Sequence, residues 1–185
     1  DSTPGRDLVL SLDYNLQFVV ETQLKEAVHQ FQADAGSIVV MDPQNGAILA
    51  LAGQPTFDPN NFSILRGEEQ FKFLAPAASN VYEPGSVMKP ITMAMALDLG
   101  RVTPETTEVF GKTVTIGGKT IMNADEKVFG KETMTQVLEN SDNVAIVWVA
   151  SQIGATAQRD YFAKFGLGAE SGLDLIGEQT GRLPS

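Results

Sequence analysis

Two apolar runs, Ser37-Ile38-Val39-Val40-Met41-Asp42 and Ala47-Ile48-Leu49-Ala50-Leu51-Ala52, flank Pro43-Gln44-Asn45-Gly46. This arrangement constrains the fold more than any other stretch. Asn-Gly in a short connection accepts the positive φ of a tight turn, so the two runs pair as an antiparallel hairpin. Both runs are apolar at nearly every position, which predicts a sheet covered on both faces. Ahead of them, Asp13 is placed to cap a helix running to about Gln32. Leu16, Val20, Leu24, Ala27, Val28 and Phe31 give that helix one apolar stripe. Ala35-Gly36 breaks it, and Asp7 to Ser11 alternates enough to predict a short strand before it.

The remainder is mostly helical. A loop spans Gly53 to Phe62, and helical structure is expected from Leu65 to a helix that begins at Ser86 and stops at Gly100. Val102 to Phe110, with Pro104, reads as irregular, and a second small hairpin is predicted where 113–116 and 119–122 flank Gly117-Gly118. Thr133 with Gln136 forms a capping box for a helix to about Glu139. Val144 to Ala150 is apolar all round, so it predicts a buried helix closed by Gly154. A last helix, about 157–164, ends at Gly166, with Tyr161, Phe162 and Phe165 read as core. No repeat, low-complexity stretch or domain linker interrupts the chain. The fold class is α+β.

The chemistry concentrates in Tyr82-Glu83-Pro84-Gly85-Ser86-Val87-Met88-Lys89-Pro90. Pro84-Gly85 is a turn that delivers Ser86 to a helix start. Ser86 and Lys89 are then one turn apart on one face, where a hydroxyl and an amine can touch. A serine needs a neighbouring base to become a nucleophile. A lysine serves as that base only if burial and its apolar surroundings pull its pKa down. A serine and a lysine at this spacing are too common to decide anything alone. The second polar element is Ser141-Asp142-Asn143, between two apolar helices. Such residues either cap a helix junction or line a cleft, and beside Ser86 the cleft is the better reading. The expectation is that Ser86, Lys89, Ser141 and Asn143 meet in one crevice.

Together, S-x-x-K at Ser86 and S-D-N at Ser141 resemble the penicillin-binding protein transpeptidases. The approach Tyr82-Glu83-Pro84-Gly85 is similar to that family's, and so are Gly5 to Asp13 with Asn15-Leu16-Gln17. The stretch Phe165-Gly166-Leu167-Gly168, followed by Ser171 to Leu175 and Gly177-Glu178, agrees as well. The resemblance is to the class B, monofunctional enzymes and covers nearly the whole chain. It implies part of a two-lobed transpeptidase domain over 1–185, with sheet-lobe strands and helix in 1–55, a mainly helical lobe in 64–176, and the site between lobes.

The implied reaction is peptidoglycan D,D-transpeptidation through a serine acyl-enzyme. The implied partners are stem peptides ending in D-Ala-D-Ala and β-lactam antibiotics. By motif, Ser86 is the nucleophile, Lys89 its base, Ser141 a proton relay and Asn143 a holder of substrate and Lys89. Asp142 receives no role. The family works on the extracytoplasmic (periplasmic) face of the bacterial cytoplasmic membrane, anchored by an N-terminal helix.

The family's third motif, K-T-G, has no match. Lys112-Thr113 and Lys119-Thr120 lack the Gly and precede Ser141, so they read as hairpin residues. The chain is therefore expected to lack an oxyanion donor and the carboxylate-binding lysine, and to show little or no transpeptidase activity alone. The hairpin is expected to expose an edge that a missing C-terminal part or a swapped copy of the chain would cover. The readings set against this are a serine β-lactamase and a non-catalytic fragment. Glu170-Ser171-Gly172-Leu173-Asp174 does not fit the E-x-x-L-N pattern of class A lactamases.

Composition removes other classes. The 185 residues carry a net charge of −10 and no cysteine. No basic cluster invites nucleic acid, and no thiolate site or disulfide can form. The single His29 sits in a polar helical segment, so neither a His-based triad nor a His-rich metal site is expected, and no cofactor motif is present. No apolar run reaches the length of a membrane span.

Overall fold

The computed structural model describes Gly5 and residues 7–64 and 67–183. The expected onset of helical structure at Leu65 lies outside the described residues. The chain divides into two compact units, Asp1–Val81 with Glu170–Thr180, and Tyr82–Ala169 with Gly181–Ser185.

In the first unit α1 spans Tyr14–Gln30, and Asp13 caps it by accepting the Leu16 N–H at 2.9 Å. The stripe works as its spacing requires. Val20 and Leu24 are buried against Ala50 and Ala52, with Leu16, Val28, Ile38 and Val40 packed around them. Close approach of the helix demands small residues beneath it. A Cβ on Gly36 would lie 3.0 Å from Leu24 Cδ1. Phe31 leaves the stripe and is 75% exposed, because it caps the helix end, where the chain turns away through left-handed Gln32 (φ 52°).

The hairpin is β1 (Gly36–Met41) and β2 (Ile48–Gln54), antiparallel, with Gly36 opposite Gln54 and an irregularity between Val40 and Met41. Asp42 organises the turn by accepting from the Gln44 N–H and the Asn45 side-chain amide, and Gly46 takes φ 77°. Cover on both faces holds only in part. The α1 face is buried, but on the other face Val39 is 44% and Met41 52% exposed. Cover there comes from Pro76, at the start of the short α2 (Pro76–Ser79), which meets Gly53 so closely that an added Cβ would lie 2.5 Å from its Cδ.

Asp7 to Ser11 forms no strand. It is tied to the outer edge of β2 by single bonds, Ser11 Oγ to the Ile48 carbonyl and the Asp13 N–H to the Leu49 carbonyl. Further along that edge the Gln17 side chain acts as a surrogate peptide group. Its Nε2 donates to the Leu51 carbonyl (2.9 Å) and its Oε1 accepts the Leu51 N–H (2.8 Å). The exposed-edge expectation therefore fails along residues 48–51 of β2, where the Ile48, Leu49 and Leu51 carbonyls and the Leu51 N–H are met from α1 and the segment before it.

The second unit is built on α3 (Lys89–Asp98) and α5 (Asn143–Ile153). Met93, Met95 and Ala96 pack with Val144, Ala145, Val149 and Ile153, and α4 (Met134–Glu139) adds Met134 and Val137. Trp148 meets Phe110 edge-on at 5.9 Å. The expected irregular stretch after Val102 contains β3 (Thr107–Phe110), paired antiparallel with β6 (Gly130–Thr133). Its partner is remote in sequence and its four residues include Glu108, so no local pattern marks it.

The second hairpin is β4 (Thr113–Ile116) with β5 (Lys119–Met122), as expected. The Thr133–Gln136 capping box is complete. In α6 (Ala155–Lys164) Tyr161 and Phe162 pack on the core, but Phe165 caps the helix and is 49% exposed, so it is no core residue. Among the described residues, no helix is long and apolar enough to cross a membrane.

Candidate active site

Gly85 (φ 65°) opens a single 3-10 turn, Gly85–Met88, that runs into α3. Ser86 sits exposed in this turn, and its carbonyl accepts the Lys89 backbone N–H. Pro90 at the start of α3 has no N–H to satisfy, so the chain enters the helix without an orphan donor there. Lys89 is 9% exposed. Its Nζ donates to the Ser141 carbonyl (2.5 Å), Ser141 Oγ (2.9 Å) and Asn143 Oδ1 (2.6 Å). Ser141 Oγ in turn donates to Ser86 Oγ at 3.3 Å. The amine thus turns to the α4–α5 connection rather than to Ser86 directly, because a buried ammonium must place all its donors on acceptors. Ser86 is reached through Ser141. All four residues lie in the second unit.

The connection owes its shape to how α4 ends. The Ser141 N–H bonds the Leu138 carbonyl and the Asp142 N–H bonds the Val137 carbonyl, both at 3.1 Å, with Ser141 at φ 53°. This is a Schellman ending, whose left-handed position usually holds glycine. The same pair of bonds ends α3 at Gly100 (φ 63°) and α6 at Gly166 (φ 76°). Serine in place of glycine costs backbone strain, and it brings a hydroxyl and a carbonyl to Lys89 from one residue.

Asp142 is fully buried and caps α5, its Oδ1 accepting the Ala145 N–H at 2.7 Å. The cap reading of Ser141-Asp142-Asn143 holds for Asp142, while Ser141 and Asn143 on either side of it turn to Lys89. Asn143 is fixed at three points: Oδ1 on Lys89, Nδ2 on the Met122 carbonyl (3.0 Å), and its N–H on Asn123 Oδ1 (2.5 Å). Sequence reasoning gave no role to Asn123, Asp142 or Glu132. An Asp before an apolar run is a cap signal, but nothing marks Asn123 or Glu132 as buried.

Burial pushes the Lys89 amine below the ordinary lysine range, and the negative charge of Asp142 works against that shift. Ser86, Lys89 and Asn143 open onto a groove of about 390 Å³ whose apolar wall is Met88, Ile121, Ile146, Val147 and Ala150. Among the described residues no cluster of three or more His, Cys, Asp or Glu could hold a metal ion. A desolvated amine linked through a hydroxyl to an exposed serine is equipment for acyl transfer.

Comparison with known proteins agrees. The penicillin binding protein transpeptidase domain, as a family, matches residues 36–185. The chain belongs to the penicillin-binding protein transpeptidase family. Peptidoglycan D,D-transpeptidase FtsI of Escherichia coli K12 is 34% identical over 184 residues, which is 100% of this chain and 30% of that protein. Penicillin-binding protein PbpB of Mycobacterium tuberculosis is 33% identical over 180 residues, 97% of this chain and 26% of that one. The crystal structure of penicillin-binding protein 3 from M. tuberculosis, complexed with ampicillin, superposes with a TM-score of 0.86 at 32% identity, covering 95% of this chain and 38% of that one. The chain thus spans less than a third of the length of these two curated relatives. The fold is that of the penicillin-binding protein transpeptidases, in the stretch the chain shares with them.

Proposed function

We propose that this chain carries the serine, lysine and S-x-N parts of a peptidoglycan D,D-transpeptidase. The observation that carries the reading is Ser141 Oγ standing between Lys89 Nζ (2.9 Å) and Ser86 Oγ (3.3 Å), with the amine buried. With Lys89 neutral, the hydroxyl hydrogens rotate. Ser86 gives its proton to Ser141 Oγ, and Ser141 gives its own to Lys89. Ser86 Oγ then bonds to the carbonyl carbon between two terminal D-alanines of a stem peptide. The proton returns along the same path to the departing D-alanine amine, and an amine from a neighbouring strand later takes the acyl group. The Ser86 N–H, in the turn that enters α3, is one oxyanion donor, and such a donor is typically worth ~2.7–4 kcal/mol of barrier. Asn143, held on three sides, keeps Lys89 in place and lines the groove for the peptide. A β-lactam amide would acylate Ser86 by the same route. The stem-peptide substrate belongs to the cell wall, so the site operates outside the cytoplasmic membrane.

The test is prolonged incubation with excess fluorescent penicillin, followed by peptide mapping. Substoichiometric label on Ser86, absent from the Ser86→Ala and Lys89→Ala chains, is expected. Label that survives Ser86→Ala would overturn the assignment. Steady turnover of a chromogenic cephalosporin would mark a hydrolase instead.

A further inference from the structure

Behind the Ser141–Asn143 turn lie two carboxyl groups that the proposed reaction does not use. Glu132 on β6 is 3% exposed and Asp142 is 0% exposed. One oxygen of each is satisfied. Asn140 Nδ2 donates to Glu132 Oε1 at 2.7 Å, and the Ala145 N–H donates to Asp142 Oδ1 at 2.7 Å. The other two, Glu132 Oε2 and Asp142 Oδ2, are buried with no hydrogen-bond donor to meet them. The Asp142 side chain lies within hydrogen-bonding reach of Glu132, so two ionised carboxylates there would repel each other, and each would leave a lone pair stranded. One proton between them removes both penalties.

The surroundings decide which group keeps the proton. Asp142 already spends one oxygen on the amide at the start of α5. Glu132 stands directly across the ladder from Glu108 on β3, a third carboxyl group. Burial pushes the Glu132 carboxyl above the usual glutamate range, the Asn140 hydrogen bond opposes this, and Asp142 adds to it. Beyond Asp142 the next titratable group is Lys89 on α3, which feels the Asp142 charge.

We propose that Glu132 and Asp142 share one proton, Glu132 Oε2–H donating to Asp142 Oδ2, and that this pair is the device that holds the Ser141 turn against Lys89. Glu132 is a positioning residue that acts through Asp142. The pair carries a single negative charge beside the amine, enough to offset part of its desolvation without fixing it as an ammonium. Only this consequence at Lys89 rests on the acyl-transfer reading. The proton sharing stands apart from it.

Two measurements on the chain test the proposal. The first is thermal stability against pH for the wild type, Glu132→Gln and Glu132→Leu. A carboxyl raised in the folded state contributes fully below the ordinary glutamate range and loses that contribution as pH rises toward its raised value. An amide at the same place donates at every pH. The melting temperature of Glu132→Gln should therefore gain on the wild type as pH rises through that window, by roughly 3–5 °C per pH unit. Glu132→Leu should lie below both. A Glu132→Gln difference that stays flat from pH 5 to pH 8 overturns the proposal.

The second measurement is the Lys89 titration, followed by its side-chain carbon shift. Asp142→Asn should move it lower, and Glu132→Gln should move it far less. Equal movement would mean two separate charges and would also overturn the proposal. Where Asp142→Asn does not fold, the Glu132→Gln arm decides alone. A chain that failed to label at Ser86 would leave both readouts intact, so the two readings fail separately.

Discussion

Ser141 is expected to be a destabilising residue kept for its side chain, and a pair of substitutions separates the two effects. Ser141→Ala and Ser141→Gly both delete the hydroxyl, which removes one of the three acceptors of Lys89 and the contact with Ser86. Both keep the Ser141 carbonyl that accepts from Lys89. The hydrogen-bond loss, about 0.5–1.5 kcal/mol, is therefore common to the two chains. What differs is the backbone. At φ 53° a residue with a Cβ bears about 1–2 kcal/mol of left-handed strain that glycine escapes. Glycine gives back roughly 0.5–1 kcal/mol through the greater freedom of its unfolded chain. The Gly variant should thus exceed the Ala variant by about 0.5–1 kcal/mol, or ~1–4 °C in melting temperature for a chain of this size. Urea denaturation of the two purified chains, supported by calorimetry, measures it. Both should be equally unreactive toward fluorescent penicillin. If the Ala variant equals or exceeds the Gly variant in stability, the left-handed strain assigned to Ser141 is absent and the reasoning fails.

Other positions give independent checks. Gln17→Ala leaves the Leu51 N–H and carbonyl on an open edge, at about 1–3 kcal/mol; light scattering at 37 °C should rise as the melting temperature falls, and Gln17→Glu, which still accepts but cannot donate, should lie between. Gly53→Ala drives a Cβ to 2.5 Å from a rigid proline ring, so a loss of about 1–3 kcal/mol is expected by urea titration. Thr133→Ala removes the cap of α4 at ~1 kcal/mol and should speed amide exchange in that helix before any other. Penicillin labelling of the wild type should rise with pH through a midpoint below the ordinary lysine value of 10.5, and Lys89→Arg, whose cation cannot lose its proton, should not label at any pH.

What the sequence makes legible is local chemistry. The Asp13 cap, the Asn45-Gly46 turn and the Thr133–Gln136 box are each decided within four residues, and each forms. The strand β3 is decided by Gly130–Thr133, far along the chain, and no window around Thr107–Phe110 contains that fact. Phe31 and Phe165 fail as core residues for one reason: apolar periodicity continues one position past the helix, while the backbone does not. The residue types of the site and their order are legible. That Ser141 stands between Lys89 and Ser86 is not, because it depends on a serine occupying a glycine position at the end of α4.

The buried groups around Lys89 impose opposite demands, and the fold meets both by separating them along the chain. Desolvation disfavours the ammonium, while three hydrogen-bond acceptors and the Asp142 charge favour it. An amine surrounded only by apolar atoms would be neutral but unoriented, and one paired directly with a carboxylate would be oriented but permanently charged. Here the oriented contacts are uncharged oxygens of Ser141 and Asn143, and the carboxylate does not contact Nζ but is turned to the start of α5. Such an arrangement needs a connection rigid enough to hold a left-handed serine, a buried cap and a first-turn asparagine in register. The capping box of α4 and the apolar run 144–150 of α5 supply that rigidity from either side. The poise of the base is therefore set by how two helices are joined as much as by the residues that touch it.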